Sequence, residues 1–215
     1  TASGLLNSIG LQNIGVKALI KEKTPIWAKW LVPVIVNIAG ETIDDYAQLA
    51  GELDGIAGIR AIEVNISCPN VKAGGAEFGA EPNSAAMVIA AVKATTSLPV
   101  LVKLTPNTSD IAKVAVAVAK AGAEAISLIN TLKGMAIDIP KRRPLLGSTT
   151  GGLSGPAIKP VALYMVHEVA GAVGVPIIGS GGITTANDAI EFIMAGASAV
   201  QIGTAGNADM ADGNP

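Results

Sequence analysis

The sequence has a single cysteine, Cys68, and few aromatic residues, which make up 3% of its 215 residues. One cysteine excludes an internal disulfide, and also a zinc site or iron–sulfur cluster held by four thiolates of this chain. The shortage of aromatic rings disfavours proteins that stack nucleic-acid bases on aromatic side chains. We therefore expect a reducing, cytoplasmic setting and predict no metal site.

Charged residues are also scarce, at 15%, and the net charge is −2. This balance offers no basic surface for nucleic acids and no polybasic segment for anionic membranes. The longest uncharged stretch, residues 169–187, is interrupted by Pro176 and several glycines, so it is no membrane span. Half of the residues are apolar, enough for a large core. The sequence thus predicts one globular domain without nucleic-acid or membrane partners.

Short β-branched runs alternate with longer segments of helical pattern, which predicts consecutive βα units. The helical segments begin at polar capping residues and several end at glycine. The predicted strands are residues 33–38, 61–67, 100–105, 125–131, 176–180 and 199–204. The predicted helices are residues 42–53, 83–95, 109–121, 160–173 and 185–195.

Polar residues and glycines follow many of these strands, and this distribution bears on the architecture. Alternating βα units form either a closed barrel or an open doubly wound sheet. A barrel gathers all strand ends at one mouth, whereas an open sheet binds its ligand at one switch point. The wide spread favours the barrel, although only six strands are visible. The residues concerned are Asn37, Asn65, Lys103, Asn130, Gly181 and Thr204.

Cys68 lies between two asparagines, Asn65 and Asn70, where a strand enters a loop. A thiol there can act as a base or nucleophile, and amides can bind a planar ligand. A structural role is equally compatible, because free cysteines are commonly buried. The loop that follows, residues 71–79, contains adjacent glycines and resembles a lid over a site. An ordinary surface loop remains the alternative.

Lys103 interrupts the apolar strand VLVKL, and a buried lysine needs a polar or anionic partner. It could contact a cofactor or form a Schiff base. Separately, glycines follow two successive late strands, at Gly181, Gly182 and Gly203, and a helix begins near Thr185. Glycine turns and a helix N-terminus expose backbone N–H groups, so this arrangement predicts a phosphate site.

Longer motifs closely resemble the dihydroorotate dehydrogenase family. Residues 65–79, NISCPNVKAGGAEFG, resemble the catalytic loop of the class 1B, NAD-linked catalytic subunits. The resemblance runs in order along nearly the whole chain, to about residue 205. Its other motifs are NSIGLQN (7–13), VNIAG (36–40), VKLTPN (102–107), INTLKGMAID (129–138), GGLSGPAIKP (151–160), GSGGI (179–183) and QIGTA (201–205).

The resemblance implies an enzyme that oxidises dihydroorotate to orotate in de novo pyrimidine biosynthesis, with FMN as cofactor and Cys68 as the base. The implied contacts to the FMN ring and ribityl chain are Asn37, Asn65, Lys103 and Ile129. Those near the FMN phosphate are Gly155, Gly181, Gly182, Gly203 and Thr204. Those to orotate are Asn7, Ser8, Ile9, Gly10, Leu11, Asn65, Asn130 and Thr131.

The resemblance also implies partners. Class 1B enzymes pass electrons to NAD through an iron–sulfur flavoprotein subunit with FAD and a [2Fe–2S] cluster, which the single cysteine of this chain could not hold. We expect a homo-oligomer within such a hetero-oligomer.

The implied fold is a TIM (β/α)8 barrel, of which this sequence presents about six βα units in one incomplete FMN-binding domain, residues 1–215. The family's first two βα units and its closing helices have no counterpart, so we expect an open, C-shaped sheet. Two alternatives stay open: a non-catalytic barrel fragment, and a phosphate-binding barrel lyase that uses Lys103.

Overall fold

The computed structural model describes residues 3–67 and 78–205, which form alternating strands and helices. The strands are β1 Leu5–Asn7, β2 Ile35–Ile38, β3 Ala61–Asn65, β4 Val100–Lys103, β5 Ala125–Leu128, β6 Leu132–Gly134, β7 Ile137–Asp138, β8 Arg143–Pro144, β9 Gly151–Ser154, β10 Ile177–Ser180 and β11 Ala199–Gln201. The helices are α1 Val16–Glu22, α2 Thr24–Trp27, α3 Ile43–Leu53, α4 Pro82–Lys93, α5 Ile111–Lys120, α6 Lys159–Ala172, preceded by a 3-10 turn at Pro156–Ile158, and α7 Ala186–Met194.

The main sheet is parallel, with its strands in the order β2-β3-β4-β5-β10-β11. This is the order of six consecutive strands of a (β/α)8 barrel, so the predicted strands and their succession are confirmed. Each observed strand ends at the predicted C-terminal residue or a few residues before it. Within the described ranges the sheet is open, with β2 and β11 at its edges, as we expected.

A side-chain contact across the sheet demonstrates that it is strongly curled. Lys103 of β4 and Gln201 of β11 are separated by β5 and β10, yet Nζ of the lysine lies 2.5 Å from Oε1 of the glutamine. In a flat sheet these two strands would be roughly 14 Å apart, at about 4.8 Å per strand. The polar face that carries both side chains is therefore concave.

Local sequence explains where the main helices begin. Thr42 and Asp45 form a capping box at the start of α3, and Thr185 and Asp188 form another at α7. The Asp110 side chain accepts a hydrogen bond from the backbone N–H of Lys113 at the start of α5. Each cap satisfies N–H groups that have no partner within the helix, which sets the first turn.

The hydrophobic core lies between the convex face of the sheet and helices α3 to α6. Alternate residues of β3, β4 and β5, such as Val64, Val102 and Ile126, are fully buried there. Among the helices of the described ranges, none combines the length and apolar character that crossing a bilayer requires.

A second, antiparallel sheet has the order β1-β9-β6, and a hairpin pairs β7 with β8. Neither was predicted. The segments LLN, LKG and GGLS are short and contain no β-branched or aromatic residue, and two of them contain glycine, so they lack the usual strand signal. Pairing between Leu5 and Ser154 also depends on chain segments that are far apart in sequence.

Candidate functional site

The C-terminal ends of the strands open into two adjoining pockets. One, the asparagine-lined pocket, has a volume of about 540 Å³ and lies between β3 to β5 and the small antiparallel sheet. The other, the glycine-lined pocket, has a volume of about 280 Å³ and lies between β4, β5, β10 and β11. Asn130 and Thr131 line both, so two ligands bound side by side would touch there.

The asparagine-lined pocket brings together all of the residues predicted to contact orotate. They come from the N-terminal segment and from the ends of β3 and β5, and they are Asn7, Ser8, Ile9, Gly10, Leu11, Asn65, Asn130 and Thr131. The pocket also includes polar side chains that were not predicted as contacts, namely Ser67, Thr105, Asn107, Lys133, Ser148 and Thr150.

Asn65 is held in place by a buried network. The Tyr46 hydroxyl, fully buried on α3, donates to the Asn65 carbonyl at 2.8 Å. The Asn65 Oδ1 atom accepts from the Ser67 backbone N–H at 3.1 Å and from the Asn130 side chain at 3.4 Å. The two predicted amides are thus linked, and the orientation of one constrains that of the other.

Asn107 connects two segments of the pocket wall, the one after β4 and the one after β5, a role that sequence reasoning missed. Its Nδ2 atom donates to the Thr131 carbonyl and to the Thr105 hydroxyl, both at 3.1 Å. Its Oδ1 atom accepts from the Lys133 backbone N–H at 2.9 Å. These bonds fix the chain just after Asn130. The only sequence signal was the position of Asn107 two residues beyond a strand-ending threonine.

The glycine-lined pocket contains all of the predicted FMN contacts except Asn37 and Asn65. Asn65 lines the neighbouring pocket instead. The predicted residues that meet in the glycine-lined pocket are Lys103, Ile129, Gly155, Gly181, Gly182, Gly203 and Thr204. At its rim the Thr204 hydroxyl donates to the Ser154 hydroxyl at 2.8 Å, which ties the end of β11 to β9.

Gly181 and Gly182 adopt conformations that require glycine. Their φ angles are +131° and +75°. A Cβ at Gly182 would lie 2.8 Å from the Gly155 carbonyl oxygen, and one at Gly181 would lie 2.8 Å from Cβ of Ala162. Within the described ranges, the N–H groups of Gly181 and Gly182 donate to no acceptor. They form a cradle into which an anion fits.

Gly203 differs from these two glycines. A Cβ built at Gly203 meets nothing within 4 Å, so the packing of the described residues does not require glycine there.

The start of α7 does not offer all the N–H groups that the sequence suggested. The Asp188 carboxylate accepts from the backbone N–H groups of Thr184 and Thr185 at 3.0 and 2.8 Å. It also forms an ion pair with Lys159 at 2.6 Å. This ion pair, followed by these hydrogen bonds, lowers the pKa of Asp188. The N–H groups that remain available for an anion in this part of the described chain therefore include those of Gly181 and Gly182.

Lys103 lies at the end of β4, half-buried at the edge of the glycine-lined pocket. Burial lowers the pKa of its ammonium group, and the nearby Glu63 carboxylate acts in the opposite direction. The only hydrogen-bond partner of this ammonium group among the described residues is Gln201. No other residue described as lining this pocket carries a charge.

Asn37 is the predicted contact that lines neither of these two pockets. It lies on the edge strand β2, and its Nδ2 atom donates to Oε2 of Glu63 at 2.6 Å. Glu63 was not predicted as a functional residue, although a charge within the apolar run AIEVNIS was a visible signal.

The predicted base, Cys68, lies outside the described residues, as do Asn70 and most of the suggested lid. The residues on either side are well anchored. The Gly79 backbone N–H donates to the Ile66 carbonyl at 3.0 Å, and the Phe78 ring packs edge-on against Tyr46 at 6.2 Å. Ser67, directly before Cys68, lines the asparagine-lined pocket.

The fold is of the (β/α) barrel type, with both pockets at the C-terminal ends of the parallel strands. A profile of the dihydroorotate dehydrogenase family matches residues 1–211. The chain belongs to the dihydroorotate dehydrogenase family.

The similar curated proteins include the catalytic subunits of dihydroorotate dehydrogenase B (NAD(+)) from Desulforudis audaxviator, 60% identical, and Pelobacter propionicus, 59% identical. The corresponding subunit from Geotalea daltonii is 57% identical. Each match spans 205 residues, covering 95% of this chain and 67% of the relative.

Proposed function

We propose that this chain performs the reaction of its family, the oxidation of dihydroorotate to orotate in de novo pyrimidine biosynthesis, at the two adjoining pockets. One observation carries the proposal. The residues that the family resemblance assigns to orotate converge in the asparagine-lined pocket, and most of those assigned to FMN converge in the glycine-lined pocket. The shared wall of Asn130 and Thr131 would hold the two ligands in contact.

The asparagine-lined pocket suits a small, planar pyrimidine. Amide side chains offer paired donors and acceptors, which match the alternating N–H and C=O groups of such a ring. The network around Asn65 and Asn130 fixes both amides before the substrate arrives, so less rotational freedom is lost on binding. Dihydroorotate would thereby be held with its C5 and C6 atoms in one orientation.

The glycine-lined pocket fits FMN. Gly181 and Gly182 offer unpaired N–H groups to a phosphate, and no side chain at either position blocks its approach. Lys103 lies at the edge of the same pocket, where its ammonium group would stabilise negative charge on the cofactor. FMN, when bound, supplies the acceptor for the hydride that leaves C6 of the substrate.

Cys68 is proposed as the base that removes the C5 proton of dihydroorotate. This proton is α to a carbonyl group, which makes it acidic enough for a positioned side chain to remove. A free thiol has a pKa of about 8.5, so a small fraction is thiolate at neutral pH. The position of Cys68 in the chain, next to Ser67 of the asparagine-lined pocket, supports this role.

The electrons would continue to NAD through a separate subunit. The relatives are named catalytic subunits of an NAD(+) enzyme, which supports a partner. From the resemblance to the class 1B enzymes, we infer that this partner is an iron–sulfur flavoprotein with FAD and a [2Fe–2S] cluster; the single cysteine of this chain could not hold such a cluster. Homo-oligomerisation and a cytoplasmic location stay predictions.

The decisive experiment is anaerobic reduction of the purified, FMN-loaded protein by dihydroorotate. We expect the flavin absorption band to bleach and orotate to appear in equal amount. A band that dihydroorotate leaves unchanged, in protein that dithionite does bleach, would contradict the proposal. Borohydride trapping of substrate on Lys103 would instead support the lyase alternative.

A further inference from the structure

Glu63 is a buried carboxylate on the concave face that no part of the proposed reaction uses. It lies in the middle of β3, and only 6% of its surface is exposed. Its sequence neighbours Ile62 and Val64 point to the opposite, apolar face and are fully buried. A buried carboxylate destabilises a protein unless it is paired and hydrogen-bonded, so its partners indicate what it does.

Both carboxylate oxygens of Glu63 are bonded to residues of other strands. Oε1 accepts from the Ser127 hydroxyl of β5 at 2.6 Å. Oε2 accepts from the Asn37 side chain of β2 at 2.6 Å. Lys103 of β4 is a diagonal neighbour of Glu63 on the same face, because the register partner of Lys103 is Asn65, two residues beyond Glu63. The carboxylate thus binds residues of two other strands and lies beside Lys103 of a third.

The surroundings of Lys103 leave it dependent on this carboxylate. From β11 it is faced by the neutral Gln201, and its strand neighbours in register are Asn65 and Ser127, also neutral. Burial favours the neutral amine, and Glu63 opposes that tendency. A neutral Lys103 could not stabilise negative charge in the glycine-lined pocket.

The contact with Asn37 sets the direction of its amide. Because the Asn37 nitrogen donates to Glu63, the amide oxygen is turned away from the carboxylate. Asn37 then presents an acceptor to the concave space. Reversal of the amide would place two oxygens together at this short distance.

We propose that Glu63 is a positioning residue, whose carboxylate places a negative charge beside Lys103 on the concave face and orients the Asn37 amide. The consequence for FMN binding and reduction rests on the proposed function. The effect on Lys103 itself depends only on the residues of this chain, so it can be tested without cofactor or substrate.

The first test measures the titration of Lys103 by competitive acetylation at a series of pH values, followed by mass spectrometry of its peptide. In Glu63→Gln the midpoint should fall by about 1 pH unit, the lower end of the range for loss of a close opposite charge. Glu63→Asp, which keeps the charge, should restore at least half of that difference.

Ser127→Ala is the matched control, because it removes one hydrogen bond to Glu63 but leaves its charge. Its Lys103 midpoint should stay close to that of the wild type. An unchanged midpoint in Glu63→Gln, or an equal fall in Ser127→Ala, would overturn the proposal. The latter result would mean that Glu63 only links strands.

A second test applies if Glu63→Gln folds poorly. Stability to urea is compared for Glu63→Gln, Lys103→Met and the double variant. If the two neighbouring charges attract each other, the double variant should be more stable than the sum of the two single effects predicts. Additive losses would contradict that attraction. Neither test uses flavin, so failure here is distinct from failure of dihydroorotate to bleach the FMN-loaded wild type.

Discussion

The two faces of the main sheet are built from alternate residues of the same strands, yet they differ completely in character. The convex face of β3 to β5 presents Ile62, Val64 and Val102, each fully buried against helices. The concave face presents Glu63 and Lys103 and opens to the pockets. Since successive side chains of a strand point to opposite sides, a single strand can serve the core and the site together. We expect convex-face substitutions to change stability and concave-face substitutions to change binding and chemistry.

The largest effect is expected from Cys68→Ala, which removes the proposed base that follows β3 in the sequence. It should slow flavin reduction by dihydroorotate by ~10²–10⁴-fold, the usual contribution of a positioned base, while leaving urea stability unchanged. Anaerobic stopped-flow measures the rate. Cys68→Ser should keep some activity, with an optimum at higher pH. Near-normal reduction in Cys68→Ala would refute the role of the thiol.

On the convex face, Ile126→Ala should lower the free energy of unfolding by about 2–5 kcal/mol, because it leaves a cavity at a fully buried position. The reduction rate per bound flavin should stay close to that of the wild type. Ile190→Ala on α7, where 55% of the side chain is exposed, is the control and should change stability by less than about 0.5 kcal/mol. A slower reduction rate in folded Ile126→Ala would contradict the assignment of stability to the convex face and of chemistry to the concave face.

Gly182→Val should weaken FMN binding by about tenfold or more. The φ of +75° and the nearby Gly155 carbonyl oxygen both oppose a side chain, so the loop would relax when empty and resist return to the binding conformation. Equilibrium flavin titration measures the affinity. Gly171→Ala, at an exposed helical position with open space, should bind FMN normally. Unchanged affinity in Gly182→Val would place the phosphate elsewhere.

Tyr46→Phe tests a place where a helix residue supports the site directly. Loss of the hydroxyl leaves the buried Asn65 carbonyl without this donor, which should cost about 1–3 kcal/mol of stability. We also expect a higher KM for dihydroorotate with a smaller change in kcat. The control is Tyr164→Phe, because Tyr164 is 62% exposed. This variant should change neither stability nor KM. Equal effects from both would argue that the bond to Asn65 is unimportant.

The smallest effect concerns acid stability at the start of α7. The pKa of Asp188 is lowered, mainly by Lys159, so its contribution is present above the ordinary carboxyl pKa of about 3.9 and is lost as pH falls further. The difference in unfolding free energy between wild type and Asp188→Asn should therefore shrink as the pH falls from about 5 to the lowest pH at which the protein stays folded. Lys159→Met should show a weaker dependence on pH. A difference that is constant with pH would contradict this assignment.

The βα succession could be predicted closely because its signals are local. The predicted helix at residues 42–53 is observed at Ile43–Leu53, and the predicted strand at 176–180 is observed at Ile177–Ser180. Capping residues and β-branched runs act within a few positions of one another. The small sheet was missed because its strands pair residues as distant as Leu5 and Ser154, and neither segment has a strong strand pattern.

The candidate site was predictable only as a set of residues. The family resemblance identified Asn7 and Asn130 as candidate residues. They line one pocket only because of the way the N-terminal segment folds. Asn107 and Glu63 escaped prediction because their roles consist of bonds to partners on other strands and loops. A residue's identity in the sequence does not show which distant residue it will bind in the folded protein.

By itself the sequence determined the order of the six main-sheet strands and of helices α3 to α7, and it determined the capped helix starts. It also determined which polar residues and glycines follow the strands. Tertiary structure alone decided which of those groups meet. The curl of the sheet brings Lys103 to Gln201 across two intervening strands and sets Glu63 between Asn37 and Ser127. Curvature arises from the packing of all strands and helices together, so no local stretch of sequence specifies it.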